Sequence, residues 1–224
     1  CLSRGLGDVY KRQVRDLNPK ETVMNRRQFS ASLLAAGLAL IHRSPAHAAA
    51  DPARLTPLWQ AWKAAFLDPS GRVVDALQGG ISHSEGQGYA LCLAVAFDDA
   101  DAFRRIHDWT DANLAVREDN LLAWRWSPQN NAVTDRNNAS DGDLFYAWAL
   151  LLASKAFDAP ELLDRAAAIA HDLVATCILP SPDATGSLLL LPAAEGFLTT
   201  DGVVINPSYY MPRAMREVSV ATGQ

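Results

Sequence analysis

Two stretches of the chain, residues 89–97 (YALCLAVAF) and 144–153 (LFYAWALLLA), are apolar on nearly every face of a helix. Such a helix is stable only where neighbours cover it on most sides. Both runs fall far short of the 18 or so residues that span a bilayer. They therefore predict inner helices over 85–97 and 141–157, with other helices packed outside them. The flanking segments fit the outer role. Leu58, Trp59, Trp62, Ala65 and Phe66 recur at helical spacing in 56–67, with Thr56 as N-cap and Pro57 at the first helical position. Residues 98–114 place Phe103, Ile106 and His107 on one face, and 160–177 form a fifth helix. A sixth, over 207–218, completes an alternation in which helices two, four and six are inner and one, three and five outer. That order predicts an all-α fold, a concentric helical barrel. A short strand at Val73-Val74 and a polar, Asn-rich loop over 115–138 interrupt the helices.

At 224 residues the chain makes one domain, or at most two small ones. Its 49% hydrophobic and 20% charged residues exclude a disordered tail and a collagen-like fibre. Charge is unevenly spread. Residues 1–50 hold eight Lys/Arg against three Asp/Glu; residues 51–224 hold twelve against twenty-two. An acidic body repels phosphate backbones, so no nucleic-acid partner is expected. Cys1, Cys92 and Cys177 have no zinc spacing; Cys92 and Cys177 read as buried free thiols. No metal or cofactor is expected.

The basic head reads as a targeting segment. Met24 is followed by Arg26-Arg27 and Phe29, an apolar stretch over 31–41, then Pro45 and Ala46-His47-Ala48. That is a charged n-region, an h-region and a small-x-small cleavage site; the arginine pair resembles a twin-arginine signal, with an ordinary Sec signal as the alternative. Residues 24–48 are therefore expected to be an export signal, and the mature protein periplasmic or secreted. Residues 1–23 resemble translated adapter sequence and are expected to be a non-native leader. The remaining body starts near residue 49 and holds about 175 residues.

Carboxylates stand at the mouths of the apolar helices, where a polar group needs a reason. Glu85 lies in Ser84-Glu85-Gly86-Gln87-Gly88-Tyr89, and Asp141 in Asn137-Asn138-Ala139-Ser140-Asp141-Gly142-Asp143. Tyr209 follows Asn206-Pro207-Ser208. Each has a structural reading beside the functional one: Glu85 as a capping or dipole-favoured acid, Asp141 as an N-cap. Ser84 is the expected cap of helix two. Gly86 and Gly88 weaken that helix by about 1 kcal/mol each relative to Ala, and would let a bulky ligand reach the backbone. The Asp-rich segment is no EF-hand: counted from Asp135, Ser140 and Tyr146 occupy the positions that need Gly and Glu. Trp124 and Trp126, flanking Arg125, are either core plugs or sugar-stacking platforms.

Taken together, SEGQGYALCLAV, LLAWRW, NNASDGDLFYAWALLLA and INPSYYMPRAM, in this order, resemble glycoside hydrolase family 8 over about residues 55–218. That family includes endoglucanases associated with bacterial cellulose synthesis. The resemblance implies an (α/α)6 barrel that hydrolyses a β-1,4-glucan with inversion. It makes Glu85 the general acid and puts Asp141 against the sugar at the cleavage point. Trp124 would stack on a glucosyl unit, Tyr209 would lie beside the catalytic water, and Tyr89 and Asp143 join the substrate-binding set. A cellulose-synthesis complex becomes a candidate partner.

A departure accompanies the resemblance. Glu85, Asp141 and Tyr209 are 56 and 68 residues apart, a loose repeat of about 60 residues per helical pair. Six such pairs need about 340–360 residues, so this chain is expected to hold roughly half a barrel. The family's general base is expected beyond Gln224; Asp141 could substitute inside the chain, but that role is not assumed. Alternatives are a catalytically inactive glucan-binding fragment, or a chitosanase, xylanase or mixed-linkage glucanase of the same family.

Overall fold

The computed structural model describes residues 52–183 and 186–224; the leader and export-signal readings fall outside these residues. The described part is mostly helical. Its helices are α1 (Pro52–Phe66), α2 (Ser84–Ala96), α3 (Ala100–Leu114), α4 (Ser140–Ala156), α5 (Glu161–Cys177) and α6 (Pro212–Thr222). Three short antiparallel sheets join them. β1 (Ser82–His83), β2 (Arg125–Ser127) and β3 (Ala132–Asp135) form one. The other two pair β4 (Ile178–Pro180) with β5 (Leu188–Leu190) and β6 (Leu198–Thr199) with β7 (Gly202–Val203).

α4 is the centre of the core and packs on α2, α5 and α6, while α2 in turn carries α3. Its apolar run behaves as the pattern demands: Tyr146, Ala147, Ala149, Leu150 and Ala153 are fully buried. Ala90, Leu91 and Ala94 of α2 meet them in the same cluster. The outer helices bury single stripes: Phe103, Ile106 and Leu114 in α3, and Ala166, Ile169, Ala170, Leu173 and Cys177 in α5. Those spacings of three, four and seven describe one face of a 3.6-residue helix. Trp59 anchors α1. It stacks on Trp62 and Phe97, and its indole N–H donates to Asp99 at 2.9 Å beside the Lys63–Asp99 ion pair.

Three details depart from the sequence reading. α1 starts a turn before Pro57, so the proline sits inside the helix. As the sixth helical residue it lacks an amide that would have bonded the residue 53 carbonyl, and its ring crowds that carbonyl. The sixth helix is split: Pro207–Tyr209 is a 3-10 turn, and α6 begins only at Pro212. The residue before a proline avoids the helical region, and Met211 is at φ −114°, ψ 83°. α6 is also amphipathic, burying only Ala214 and Val218, so it lacks the apolar character of α2 and α4. Val73 makes an isolated bridge to Leu67 where a short strand was expected, and the apolar run at 188–191 supplies β5.

Candidate active site

The starts of α2 and α4 touch. A Cβ on Gly142 would come within 2.2 Å of Ser84 Oγ and 3.0 Å of the Glu85 amide nitrogen. One on Gly88 would meet Phe145 Cβ at 2.7 Å. These glycines let two helices approach, and the ligand-access role expected of Gly88 is not needed to explain it. A Cβ on Gly86 would lie 3.3 Å from Cε1 of the His83 ring. His83 also takes the capping role expected of Ser84: its Nδ1 accepts the Gly86 amide at 3.1 Å. Ser84 is instead buried, and its hydroxyl has no hydrogen-bond partner.

Gln87 fixes this end of α2 to the scaffold. It is fully buried, its carbonyl accepts the Val73 amide at 2.6 Å, and its amide donates to Thr110 Oγ1 at 2.7 Å. Gly71 permits the close approach of that loop to α3. Its φ is +98°, and a Cβ there would lie 2.0 Å from the Arg105 carbonyl oxygen.

Glu85 and Asp141 come together at this junction. Asp141 is 5% exposed, in the first turn of α4, and accepts the Gly142 amide at 2.8 Å. Burial first, and then the charge of Glu85, push its carboxyl well above the usual carboxylate range. The Glu85 side chain is 24% exposed and lies 3.0 Å from His83 Nδ1. Tyr89, half-exposed and edge-on to Phe145, joins them: burial and the charges of Asp141 and Glu85 push its hydroxyl up to about 12. The Tyr209 hydroxyl is raised by burial and by the same two carboxyls. Tyr209 stands on the 3-10 turn that Asn206 caps through the Ser208 amide. Four of the expected residues are therefore gathered in one place.

Trp124 is tied to them through its backbone: its carbonyl accepts the Ser84 amide at 3.0 Å, and its amide donates to Asn137. Its indole N–H donates to Asp135 at 2.9 Å, and the Arg125 guanidinium stands over its ring. Trp126 is the core plug of the pair, buried edge-on against Trp109.

Asp143 has a different place from the one expected of a sugar-binding residue. It is fully buried; its carboxylate accepts the Leu122 amide at 2.8 Å and the Asn138 side-chain amide at 2.9 Å. Burial raises its carboxyl to about 7, against the pull of those two hydrogen bonds. The residue anchors the loop that carries Trp124. Asn137 and Asn138 bind the segment around Ala194 and Glu195 in the same way. Sequence reasoning missed His83 and Asp75, and gave no role to Asp135 or Asn138, which it met in the Asp-rich segment. The signal for His83 was its position immediately before the Ser84-Glu85 motif; the others have only their structural partners to identify them.

Comparison with known proteins fits this geometry. Residues 31–223 match the family described as Glycosyl hydrolases family 8. An endoglucanase of Cellulomonas uda is 38% identical over 167 residues, covering 73% of this chain and 45% of that protein. An endoglucanase of Xanthomonas axonopodis pv. citri (strain 306) is 35% identical over 204 residues, 88% of this chain and 53% of that protein. Among solved structures, the endo-beta-1,4-glucanase CMCax from Acetobacter xylinum superposes with a TM-score of 0.72 at 36% identity. The match covers 78% of this chain and 54% of that one. The endoglucanase Cel10 from Klebsiella pneumoniae gives 0.69 at 37% identity, over 73% and 52%. The chain spans about half the length of the curated relatives it matches.

Proposed function

The chain belongs to glycosyl hydrolase family 8, and from that premise we propose that it forms the first half of an (α/α)6 barrel whose whole hydrolyses a β-1,4-glucan with inversion. The observation that carries this reading is the meeting of Glu85, Asp141, Tyr89 and Tyr209 where α2 and α4 touch, with Trp124 tied to Ser84. Glu85 is the general acid: of the two carboxyls it is the more accessible, as a group that must reach a glycosidic oxygen has to be. Asp141, held protonated, donates a hydrogen bond to the sugar at the cleavage point. The residue that activates water in an inverting enzyme stands about 6.5–9.5 Å from the acid, and none is assigned here among the described residues.

Trp124 offers its ring as a stacking platform, because the apolar face of a pyranose packs on an aromatic ring. Tyr89 and Tyr209 supply hydroxyls at the same mouth. Asp143 acts through Leu122, by holding the loop of Trp124. Residues 24–48 are the export signal of a periplasmic or secreted enzyme, and its glucan is the product of, or is trimmed beside, a cellulose-synthesis complex. The test is reducing-sugar release from carboxymethylcellulose by the full-length protein and its Glu85→Gln variant. Turnover lost in that variant supports the reading. Retention on insoluble cellulose with no turnover in the unmodified protein would favour a glucan-binding module.

A further inference from the structure

We propose that His83, oriented by Asp75, is a positioning residue that returns a proton to Glu85 after each bond cleavage. An inverting enzyme's acid delivers a proton to the leaving oxygen and must recover one before the next turnover. The proposal rests on the hydrolase reading above and adds the route of that recovery.

The geometry around one nitrogen carries it. His83 Nδ1 lies 3.0 Å from Glu85 Oε2 and 3.1 Å from the Gly86 amide nitrogen. The nitrogen cannot give a proton to the carboxylate and accept one from the amide through the same lone pair. The two contacts therefore belong to two states. In the imidazolium, Nδ1–H points at Glu85. In the neutral ring, the proton stays on Nε2, which faces Asp75 Oδ2 at 3.6 Å, and the bare Nδ1 caps α2 through the Gly86 amide. Transfer breaks the Nδ1–H bond and makes an O–H bond at Oε2, leaving the electron pair on Nδ1. The Gly86 amide is already in place to occupy that pair, so the helix cap stabilises the state in which Glu85 is recharged. Water then reprotonates the ring.

The surroundings suit each part. Asp75 is fixed as an anion: it accepts the Leu77 and Gln78 amides and the Gln78 side chain at 2.7–3.2 Å. Those bonds outweigh its burial and hold its carboxyl below the usual range. Burial disfavours charge on His83, but the hydrogen bond and charge of Glu85, with Asp75, outweigh it and raise the imidazolium above its ordinary value. Asp75, His83 and Gly86 line one open depression of about 460 Å³ with Trp62, Phe66 and Leu77, which gives water a route to the ring. On its other side Glu85 faces Asp141, Tyr89 and Tyr209. The tyrosines keep their protons to far higher pH and Asp141 keeps its own for the sugar, so His83 is the cation in the cluster able to supply a proton near neutrality.

Two measurements test this. First, histidine NMR titration of the 224-residue chain follows the His83 ring with and without Glu85→Gln. The imidazolium should lose its proton at clearly lower pH in the variant; an unchanged titration would overturn the pairing. Second, His83→Asn keeps a capping side chain but no proton relay. In the full-length protein it should lower kcat about ten- to a hundredfold at constant KM while the parent's His83 is protonated, with the loss fading as pH rises through the His83 titration, and added imidazole should restore part of it. Asp75→Asn should shift the same pH profile by a smaller amount. A His83→Asn enzyme of unchanged pH profile, deaf to imidazole, would overturn the return step. If Glu85→Gln moves the His83 titration but the unmodified protein releases no sugar, the hydrolase reading falls and takes the return step with it, leaving the coupled pair intact.

Discussion

α2 and α4 open with the same pattern and put it to different use. Ser84-Glu85-Gly86-Gln87 and Ser140-Asp141-Gly142-Asp143 each run serine, acid, glycine, polar residue. In both, the polar residue two after the acid turns inward as a strut: Gln87 to Val73 and Thr110, Asp143 to Leu122 and Asn138. In both, the acid turns to the shared mouth. The difference lies in what precedes the serine. His83 caps α2 and leaves the Glu85 carboxyl to the mouth and to the imidazole. Ala139 gives α4 no side-chain cap, so Asp141 turns back on its own helix and accepts the Gly142 amide. One acid is thereby held accessible, the other buried with its carboxyl pushed up by that burial.

The largest effect expected from this contrast is on rate. Glu85→Gln in the full-length protein should cost at least about a hundredfold in turnover, the usual worth of a general acid. Asp141→Asn should cost about tenfold, because an amide N–H replaces the neutral carboxyl as a single donor. Steady-state kinetics on carboxymethylcellulose would measure both, and equal losses would erase the distinction drawn between the two helix starts.

Burial of Asp141 and Asp143, which pushes both carboxyls up, also sets how stability responds to pH. Asp141 and Asp143 hold protons in the fold that the unfolded chain releases near pH 4. The folded chain then binds more protons, and stability falls as pH rises from there toward neutrality. His83 adds to the fall, since its raised value makes the folded state the better proton binder up to and beyond its ordinary value of 6.5. The lowered carboxyls Asp68, Asp99 and Asp172 act oppositely, losing their contribution only as pH drops below the usual carboxylate range. The thermal midpoint of the chain should therefore peak on the acid side of neutrality and decline from about pH 5 to 8. Asp143→Asn should flatten part of that decline whatever it does to the midpoint itself. A slope identical to the parent's would show that Asp143 is ionised in the fold.

Much of this was legible in the sequence, for physical reasons that differ by level. The inner helices announced themselves because all-round apolarity has few stable solutions, and α2 and α4 lie within a residue of their expected bounds. Glu85, Asp141, Tyr89 and Tyr209 meet because helix starts were brought to one end of the core, a topological fact that the motif order carries. Local chemistry was less legible. Ser84 looked like a cap, yet a neighbouring imidazole took the role; residue type alone does not say which side chain wins a bare amide. Asp143 looked like Asp141's companion in the site, but the register of a helix turns residues two apart to different sides. The sixth helix was misread because Met211 is extended, an effect of Pro212 that outweighed the apolar pattern around Tyr209 and Tyr210.

The two glycines sharpen the comparison at a smaller energy. Gly142→Ala would drive a methyl into Ser84, which is held by backbone bonds and has no room to turn aside. Overpacking of this kind costs about 1–3 kcal/mol, or several degrees in the thermal midpoint. Gly86→Ala meets only the edge of the His83 ring at 3.3 Å and gains helix propensity. It should change stability by no more than about 1 kcal/mol. If Gly86→Ala proves the more damaging, the contact between the helix starts is looser than the distances imply and the His83 ring is the tighter constraint.

The smallest effect concerns the missing cap. Ala139 has the extended backbone of an N-cap, φ −126° and ψ 116°, but no side-chain oxygen to offer. Asp141 accepts from its own amide and that of Gly142, which partly offsets the upward push on its carboxyl. Ala139→Ser would place a hydroxyl within reach of the same first-turn amides, where an N-cap serine typically contributes about 1 kcal/mol. Ala139 is buried, so part of that gain is lost to desolvating the hydroxyl. The net rise should be about half a kcal/mol, one or two degrees in the midpoint. More telling is the consequence for Asp141. Relieved of capping, its carboxyl would lose hydrogen bonds that favour the ionised form and hold its proton to still higher pH. Asp141 would then come to resemble Glu85, freed from its helix by a neighbour's side chain. Differential titration of Ala139→Ser against Ala139→Ser/Asp141→Asn would isolate that carboxyl. An ionisation moved to lower pH would mean that the serine caps nothing, and that α4 is held at its start by Asp141 alone.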